Sequence, residues 1–163
     1  MSANIKPIPD GFHSVTPYIT LKNAAEAIDF YKRAFGATER YRLPMPDGRV
    51  GHAELLVGNS IIMLADECHE TGNQSAQTLN GSAVGFALYV EDVDKAFKKA
   101  VQAGATVKED VENKFWGDRV GSVMDPYGHK WMILTHVEDV SPADMKSRMD
   151  KMFNEHSMAG HSA

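Results

Sequence analysis

One pattern constrains this chain more than any other: it is written twice. Residues 15–38 read VTPYITLKNAAEAIDFYKRAFGAT, and residues 84–106 read VGFALYVEDVDKAFKKAVQAGAT. Each runs from an apolar strand through a polar break into a helix, and each closes on Gly-Ala-Thr. An offset of 69 pairs Leu21 with Val90, Ala27 with Ala96 and Met63 with Met132. Self-similarity at one fixed offset marks a duplicated supersecondary unit. The 163 residues therefore read as two modules of roughly 55 to 60 residues each, too small to bury much surface alone.

Within module one, residues 12–66, a strand is expected over Val15 to Leu21. Asn23 with Glu26 three residues on resembles a capping box. Ala24, Ala27, Ile28, Tyr31 and Phe35 then recur at helical spacing, and Gly36 is a C-terminal stop. Strands follow over Thr38 to Leu43, Val50 to Val57 and Ile61 to Ala65, separated by Pro46-Asp47-Gly48 and Gly58-Asn59-Ser60 turns. Residues 67–83 are polar and aperiodic, and read as a linker.

Module two, residues 84–140, repeats the order. Its strands are Val84 to Val90, Thr106 to Val111, Arg119 to Met124 and Lys130 to His136. Its helix is capped by Asp92, buries Val93, Phe97, Ala100 and Val101, and stops at Gly104. Ser141-Pro142-Ala143-Asp144 opens a C-terminal helix, 141–154, with Met145, Met149 and Met152 on one face. Each module is thus βαβββ, with a helix on one sheet face only. The fold class is α+β: two modules pairing as a concave eight-stranded sheet around a cleft, folding as one domain over 1–163.

Composition narrows the function classes. Seventeen Lys and Arg stand against 22 Asp and Glu, a net charge of −5, which gives no support to nucleic-acid binding. One cysteine, Cys68, excludes an intrachain disulfide and a Cys-based zinc site. No apolar run approaches the roughly 20 residues of a membrane span, and the N-terminus lacks a signal-like stretch, so a cytoplasmic location is expected.

Strand alternation sorts the faces. Val15, Pro17, Ile19 and Leu21 are expected under the helix, with Thr16, Tyr18 and Thr20 in the cleft. By the same rule Ile61, Met63, Ala65, Gly85, Ala87, Tyr89, Met132, Leu134 and His136 face the cleft, and Trp131 packs in the core. His52 and Glu54 share a face and are assigned to the cleft. The wall so defined is aromatic, thioether and hydroxyl, suited to a flat or apolar small molecule held by a few polar groups.

The paired modules, AIDFYKRAFGA after the first strand and DPYGHKWMI near the end resemble the vicinal oxygen chelate superfamily. That group includes glyoxalase I, extradiol dioxygenases, fosfomycin-resistance enzymes and bleomycin-binding proteins. MLADE (63–67), KFWGDRVGSVMDPYGHKW (114–131) and HVEDVSPADM (136–145) are similar to its PhnB-like or glyoxalase-like branch. The resemblance covers about residues 12–150. It implies a homodimer, since many relatives complete their clefts across two chains. It also implies metal ligands on the first and fourth strands of the modules, which fall here on Thr16, Met63, Gly85 and Met132. None is a credible ligand for Zn²⁺, Ni²⁺, Fe²⁺ or Mn²⁺, so no metal or other cofactor is expected.

The candidate catalytic residues are then His52 and Glu54, a pair suited to general-base work near neutral pH. A histidine at this place recurs in the resembling branch. The candidate ligand-binding residues are Thr16, Tyr18, Met63, Tyr89, Trp116, Arg119 and Met132. Trp116 would stack on a flat ligand and Arg119 would clamp an anion, or instead pair with Asp118 or another acid. The two methionines and two tyrosines serve equally well as packing. Cys68 is expected to be non-catalytic, and His69, His129, His156 and His161 to lie on the surface or tail. Three functions remain open. The first is a metal-independent small-molecule binder. The second is a metal-independent lyase or isomerase on a small carbonyl compound. The third is a partner-binding role in which side chains close the cleft and the Met-rich helix and Phe115-Trp116 form an interface.

Overall fold

The duplication is visible in how each helix begins. In the computed structural model, which describes residues 5–159 with side chains through 154, α1 spans Ala24–Phe35 and α2 spans Val93–Ala103. The first turn of a helix leaves backbone N–H groups unpaired. Asn23 Oδ1 accepts from the N–H of Glu26 at 3.3 Å, and Asp92 Oδ1 accepts from that of Lys95 at 3.0 Å. A second donor is met from a distant strand. Ala24 N–H reaches Asp66 Oδ1 at 2.7 Å, and Val93 N–H reaches Thr135 Oγ1 at 2.9 Å. Asp66 and Thr135 stand at the same offset as Ala24 and Val93, so both halves anchor their helix by the same device.

Module one contains β1 (Tyr18–Leu21), β2 (Thr38–Pro44), β3 (Val50–Val57) and β4 (Ser60–Asp66); module two contains β5 (Gly85–Tyr89), β6 (Thr106–Asn113), β7 (Asp118–Met124) and β8 (Lys130–His136). They form two four-stranded sheets of the same order, β1-β4-β3-β2 and β5-β8-β7-β6. The α+β paired-module architecture is as expected, with the eight strands divided into two hydrogen-bonded sheets. The first strand of each sheet lies parallel to the last and the remaining pairs are antiparallel.

Two expectations about burial change. β1 starts at Tyr18, so Val15 and Pro17 lie before it and are exposed rather than packed under α1. Alternation extends upstream of Tyr18, but the pairing with β4 ends at the Pro17 carbonyl, which accepts from Met63 N–H at 2.9 Å. His129 is buried, not a surface residue. His156 and His161 lie outside the residues whose side chains are described.

The modules join helix side to helix side. One apolar core contains α1, α2 and the inner faces of both sheets. Its centre is aromatic: Phe35 and Trp131 have ring centroids 4.4 Å apart, Phe86 and Trp131 4.5 Å, and Tyr31 and Trp131 5.6 Å. Such pairs add about 0.5–1.5 kcal/mol each beyond the area they bury. Through this junction passes one buried carboxylate. Asp125 Oδ2 accepts from Tyr31 Oη at 2.8 Å and from Trp131 Nε1 at 3.0 Å. Its Oδ1 accepts from the N–H groups of Tyr127 and His129, both at 2.9 Å. Burial works against the charge of Asp125, but His129, Trp131 and the turn amide outweigh it and hold the carboxyl below its usual range. The DPYGHKW segment is therefore both a turn and a bolt between modules.

The linker is ordered by its first residues. Glu67 Oε1 accepts from Ser75 N–H at 2.7 Å. Hydrogen bonds from Thr78 and Ser75 lower its carboxyl to about 2. Ala76 then packs over the Asp125 turn. Helix α3, Pro142–Ala159, starts at Ser141, whose Oγ accepts from Asp144 N–H at 3.1 Å. Arg148 fastens it to Glu138 at 2.6 and 2.8 Å and to the Phe115 carbonyl at 3.3 Å. No helix among the described residues is long and apolar enough to cross a membrane.

Candidate functional site

Because the helices pack inward, the opposite face of each sheet stays uncovered within one chain. Tyr18, Tyr41, Leu43, Tyr89 and Met132 are exposed there. The cleft drawn from the sequence as lying between the modules is thus open to solvent in the single chain.

On the module-one face, the register brings the expected pair together. Tyr18 lies opposite Met63, which lies opposite Glu54; His52 is one pleat further along β3. Tyr18 Oη and His52 Nδ1 are 3.2 Å apart, and His52 Nε2 is 3.7 Å from Glu54 Oε1. Arg40, at a bulge in β2, reaches Glu54 at 3.5 Å, and its guanidinium lies 5.4 Å from the Phe12 ring centroid. Phenol, imidazole, carboxylate and guanidinium form one chain across the sheet. Burial pushes the Tyr18 phenol up from its usual value. An imidazole held between a phenol and a carboxylate has a defined orientation and can pass a proton. Tyr41 completes the aromatic surround, its ring centroid 6.4 Å from that of His52.

The module-two face carries a second polar cluster that reading along single strands misses. Asp118 is buried and accepts from Tyr89 Oη and Trp116 Nε1, each at 3.0 Å. His136 Nδ1 is 2.8 Å from Asp118 Oδ1, and His136 Nε2 is 3.0 Å from Asp139 Oδ1. Burial works against the Asp118 charge; hydrogen bonds from His136, Tyr89 and Trp116 outweigh it and leave the carboxyl below its usual range. An imidazole facing carboxylate oxygens on both nitrogens is satisfied only as the cation. The hydrogen bonds to Asp139, then to Asp118, accordingly raise the pKa of His136. The folded value lies above the unfolded one of about 6.5, so this contribution is present below that value and is lost as pH rises through the raised one. An NMR titration should place His136 above the ordinary histidine midpoint. His136→Gln should flatten the stability slope just above neutral pH; an unchanged slope would contradict the assignment.

The remaining candidates divide. Trp116 is held by Asp118 beside the open face, with its ring edge-on to Phe115 at 5.1 Å. Met63 and Met132 occupy equivalent face positions, opposite Tyr18 and Ala87. Thr16 lies before β1, and its hydroxyl donates to the His13 carbonyl at 3.0 Å. Arg119 is turned away from the cleft. It shares the face of Gly121 and Val123, which meets α2, and binds Asp94 bidentately at 2.7 and 2.8 Å. An arginine already saturated by a carboxylate on the helix side cannot clamp a cleft anion.

The fold has counterparts in known proteins. A family model described as the Glyoxalase/Bleomycin resistance protein/Dioxygenase superfamily matches residues 11–133. The chain belongs to this superfamily. It is 38% identical over 152 residues to the uncharacterised protein Mb0911c of Mycobacterium bovis, covering 91% of this chain and 96% of that one. The structure of the Arabidopsis thaliana At5g48480 gene product aligns with a TM-score of 0.62 at 31% identity, covering 75% and 98%. A putative 3-demethylubiquinone-9 3-methyltransferase, PhnB protein, from Bacillus cereus shares the fold with a TM-score of 0.60 at 19% identity, covering 76% and 99%.

Membership raises the question of the divalent metal that the resemblance implies. Of the four inherited ligand positions, Thr16 is committed to His13, Gly85 has no side chain, and Met63 and Met132 offer thioethers. That donor set does not fit a Zn²⁺, Ni²⁺, Fe²⁺ or Mn²⁺ ion. Among the described residues, no three His, Cys, Asp or Glu side chains gather in a way that could hold one.

Proposed function

We propose that this superfamily member binds a small aromatic or mainly apolar molecule on its open sheet faces, without a metal. The supporting observation is the Tyr18–His52–Glu54 chain, set among Tyr41, Leu43 and Met63 on an uncovered face. Such a surface supplies stacking area with one oriented polar anchor, which is what a small-molecule site requires. A second copy of the chain is its natural cover: a homodimer would close the module-one face of one protomer with the module-two face of its partner. Binding should be sought with a thermal-shift panel of flat aromatic compounds on the full chain. His52→Ala should weaken the best binder roughly tenfold, the worth of one good hydrogen bond, and Tyr18→Phe somewhat less. Affinity indifferent to both substitutions would refute the reading.

The same chain supports a second reading, a metal-independent lyase or isomerase acting on a small carbonyl compound. His52 would move the proton, Glu54 would orient the ring, and Tyr18 would hydrogen-bond the carbonyl oxygen. Turnover that His52→Ala abolishes and a chelator leaves intact would favour it over simple binding. A requirement for added Ni²⁺, Zn²⁺, Mn²⁺ or Fe²⁺ would overturn both readings.

A further inference from the structure

A second cavity lies where the linker crosses the junction of the modules, and it meets the phenol–imidazole–carboxylate chain only at Tyr18, not at His52 or Glu54. It measures about 560 Å³ and is lined by Val15, Gln74, Leu79, Val84, Phe86 and His129 among others. That volume falls within the range of small-molecule sites. Three of its apolar side chains are conspicuously wet: Val15 is 87% exposed, Leu79 61% and Val84 65%. They come from the segment before β1, the linker, and the residue before β5. An apolar patch drawn from three separate segments onto one concavity marks a binding surface.

The polar group at its wall is His129, whose side chain is 8% exposed. Its Nδ1 is buried without a hydrogen-bond partner, 3.5 Å from Asp125 Oδ2, which already accepts from Tyr31 and Trp131. The ring is thus turned with Nδ1 toward the carboxylate, and Nε2 is its accessible nitrogen. Its face is steadied by Phe86, at a centroid distance of 6.1 Å. In the neutral ring with Nδ1–H directed at Asp125, Nε2 presents a lone pair. No charged side chain lines the cavity, so an anionic ligand would find no counter-charge.

We infer that this cavity is a second ligand site, taking a neutral aromatic molecule that donates one hydroxyl hydrogen bond to His129 Nε2, a simple phenol in chemical class. The polar anchor here is His129, not His52 or Glu54, and Tyr18 is the one residue common to both sites.

The test uses the full chain with three matched probes: 4-ethylphenol, 4-ethylanisole and 4-ethylbenzoate. Amide shifts are followed by two-dimensional NMR. The phenol should bind and move the signals of Leu79, Val84, Phe86 and His129, while leaving His52 and Glu54 in place. The methyl ether, which cannot donate, should bind roughly tenfold more weakly, and the benzoate should gain nothing from its charge. Leu79→Asp, at an exposed position that the fold does not need, should abolish binding. His129→Gln should narrow the gap between phenol and ether. Equal binding of phenol and ether, preference for the benzoate, or no binding at about 5 mM would each overturn the inference. Shifts confined to the His52 face would overturn it too, while supporting the sheet-face reading.

Discussion

Asp125→Ala should cost about 3–5 kcal/mol of folding stability. The side chain is 0% exposed and its carboxylate accepts four hydrogen bonds, two from side chains of different modules. Removing it strands the Tyr31 hydroxyl and the Trp131 indole N–H inside an aromatic core. Each buried unsatisfied donor costs about 1–3 kcal/mol. The turn amides of Tyr127 and His129 lose their acceptor as well. Against a total of roughly 5–15 kcal/mol for a domain, that takes the protein to the edge of folding. Asp125→Asn keeps one oxygen and should cost about half as much. Chemical denaturation of the three proteins measures this directly, and a loss under about 1 kcal/mol for the alanine would refute the role. The pH dependence has a definite sign. The Asp125 carboxyl is held below its unfolded value, so its contribution is full above about pH 4 and falls away as pH drops through the folded value.

The DPYGHKW segment shows what local sequence can and cannot reveal. Asp-Pro-Tyr-Gly announces a turn, and the structure has one, closed by Asp125 N–H to the His129 carbonyl at 2.9 Å. That its carboxylate also meets a tyrosine 94 residues earlier depends on how the modules pack. The repeat predicts that two modules exist, and their caps and several strand limits follow from it. β3 and β8 have the expected boundaries. Which faces meet was not legible. The helix stripes and the aromatic cluster of Tyr31, Phe35, Phe86 and Trp131 bring the modules together on the helix side, leaving the sheets facing outward.

Within the site, strand alternation placed His52 and Glu54 on one face together with Tyr18, and the register carries the contact. The Asp118–His136 pair was legible by a further step. Counting outward from the Asp125–Gly128 turn pairs Met124 with Lys130 and so Asp118 with His136. Reading β7 and β8 separately hid this. The same parity would have placed Arg119 beside Gly121 and Val123, on the helix side. Asp94 as its partner needed the position of α2.

Gly117→Ala is expected to be nearly as damaging as loss of Asp125, for a steric reason. Gly117 has φ of 99°, where an L side chain is strained by about 1–2 kcal/mol. A Cβ there would also overlap the carbonyl oxygen of Glu138 and lie 3.0 Å from Val140 Cγ2. The backbone cannot simply retreat, because the Gly117 carbonyl accepts from Val137 N–H at 2.9 Å and Glu138 N–H at 3.0 Å. The total should reach about 3 kcal/mol or more once the overlap is added to the strain. Gly48→Ala isolates the two parts: its φ is 89°, but a Cβ there meets nothing within 4 Å, so it should carry the strain alone. Equal losses in the two variants would show that the close approach to Glu138 does not matter. The damage should also be directional. Gly117 sits between Trp116 and Asp118 and holds the segment that leads into α3, so a displaced turn would pull Asp118 from Tyr89 and His136. In a Gly117→Ala protein that still folds, the His136 titration should fall back toward the ordinary value and amide exchange in α3 should rise, while the Tyr18–His52 face keeps its signals.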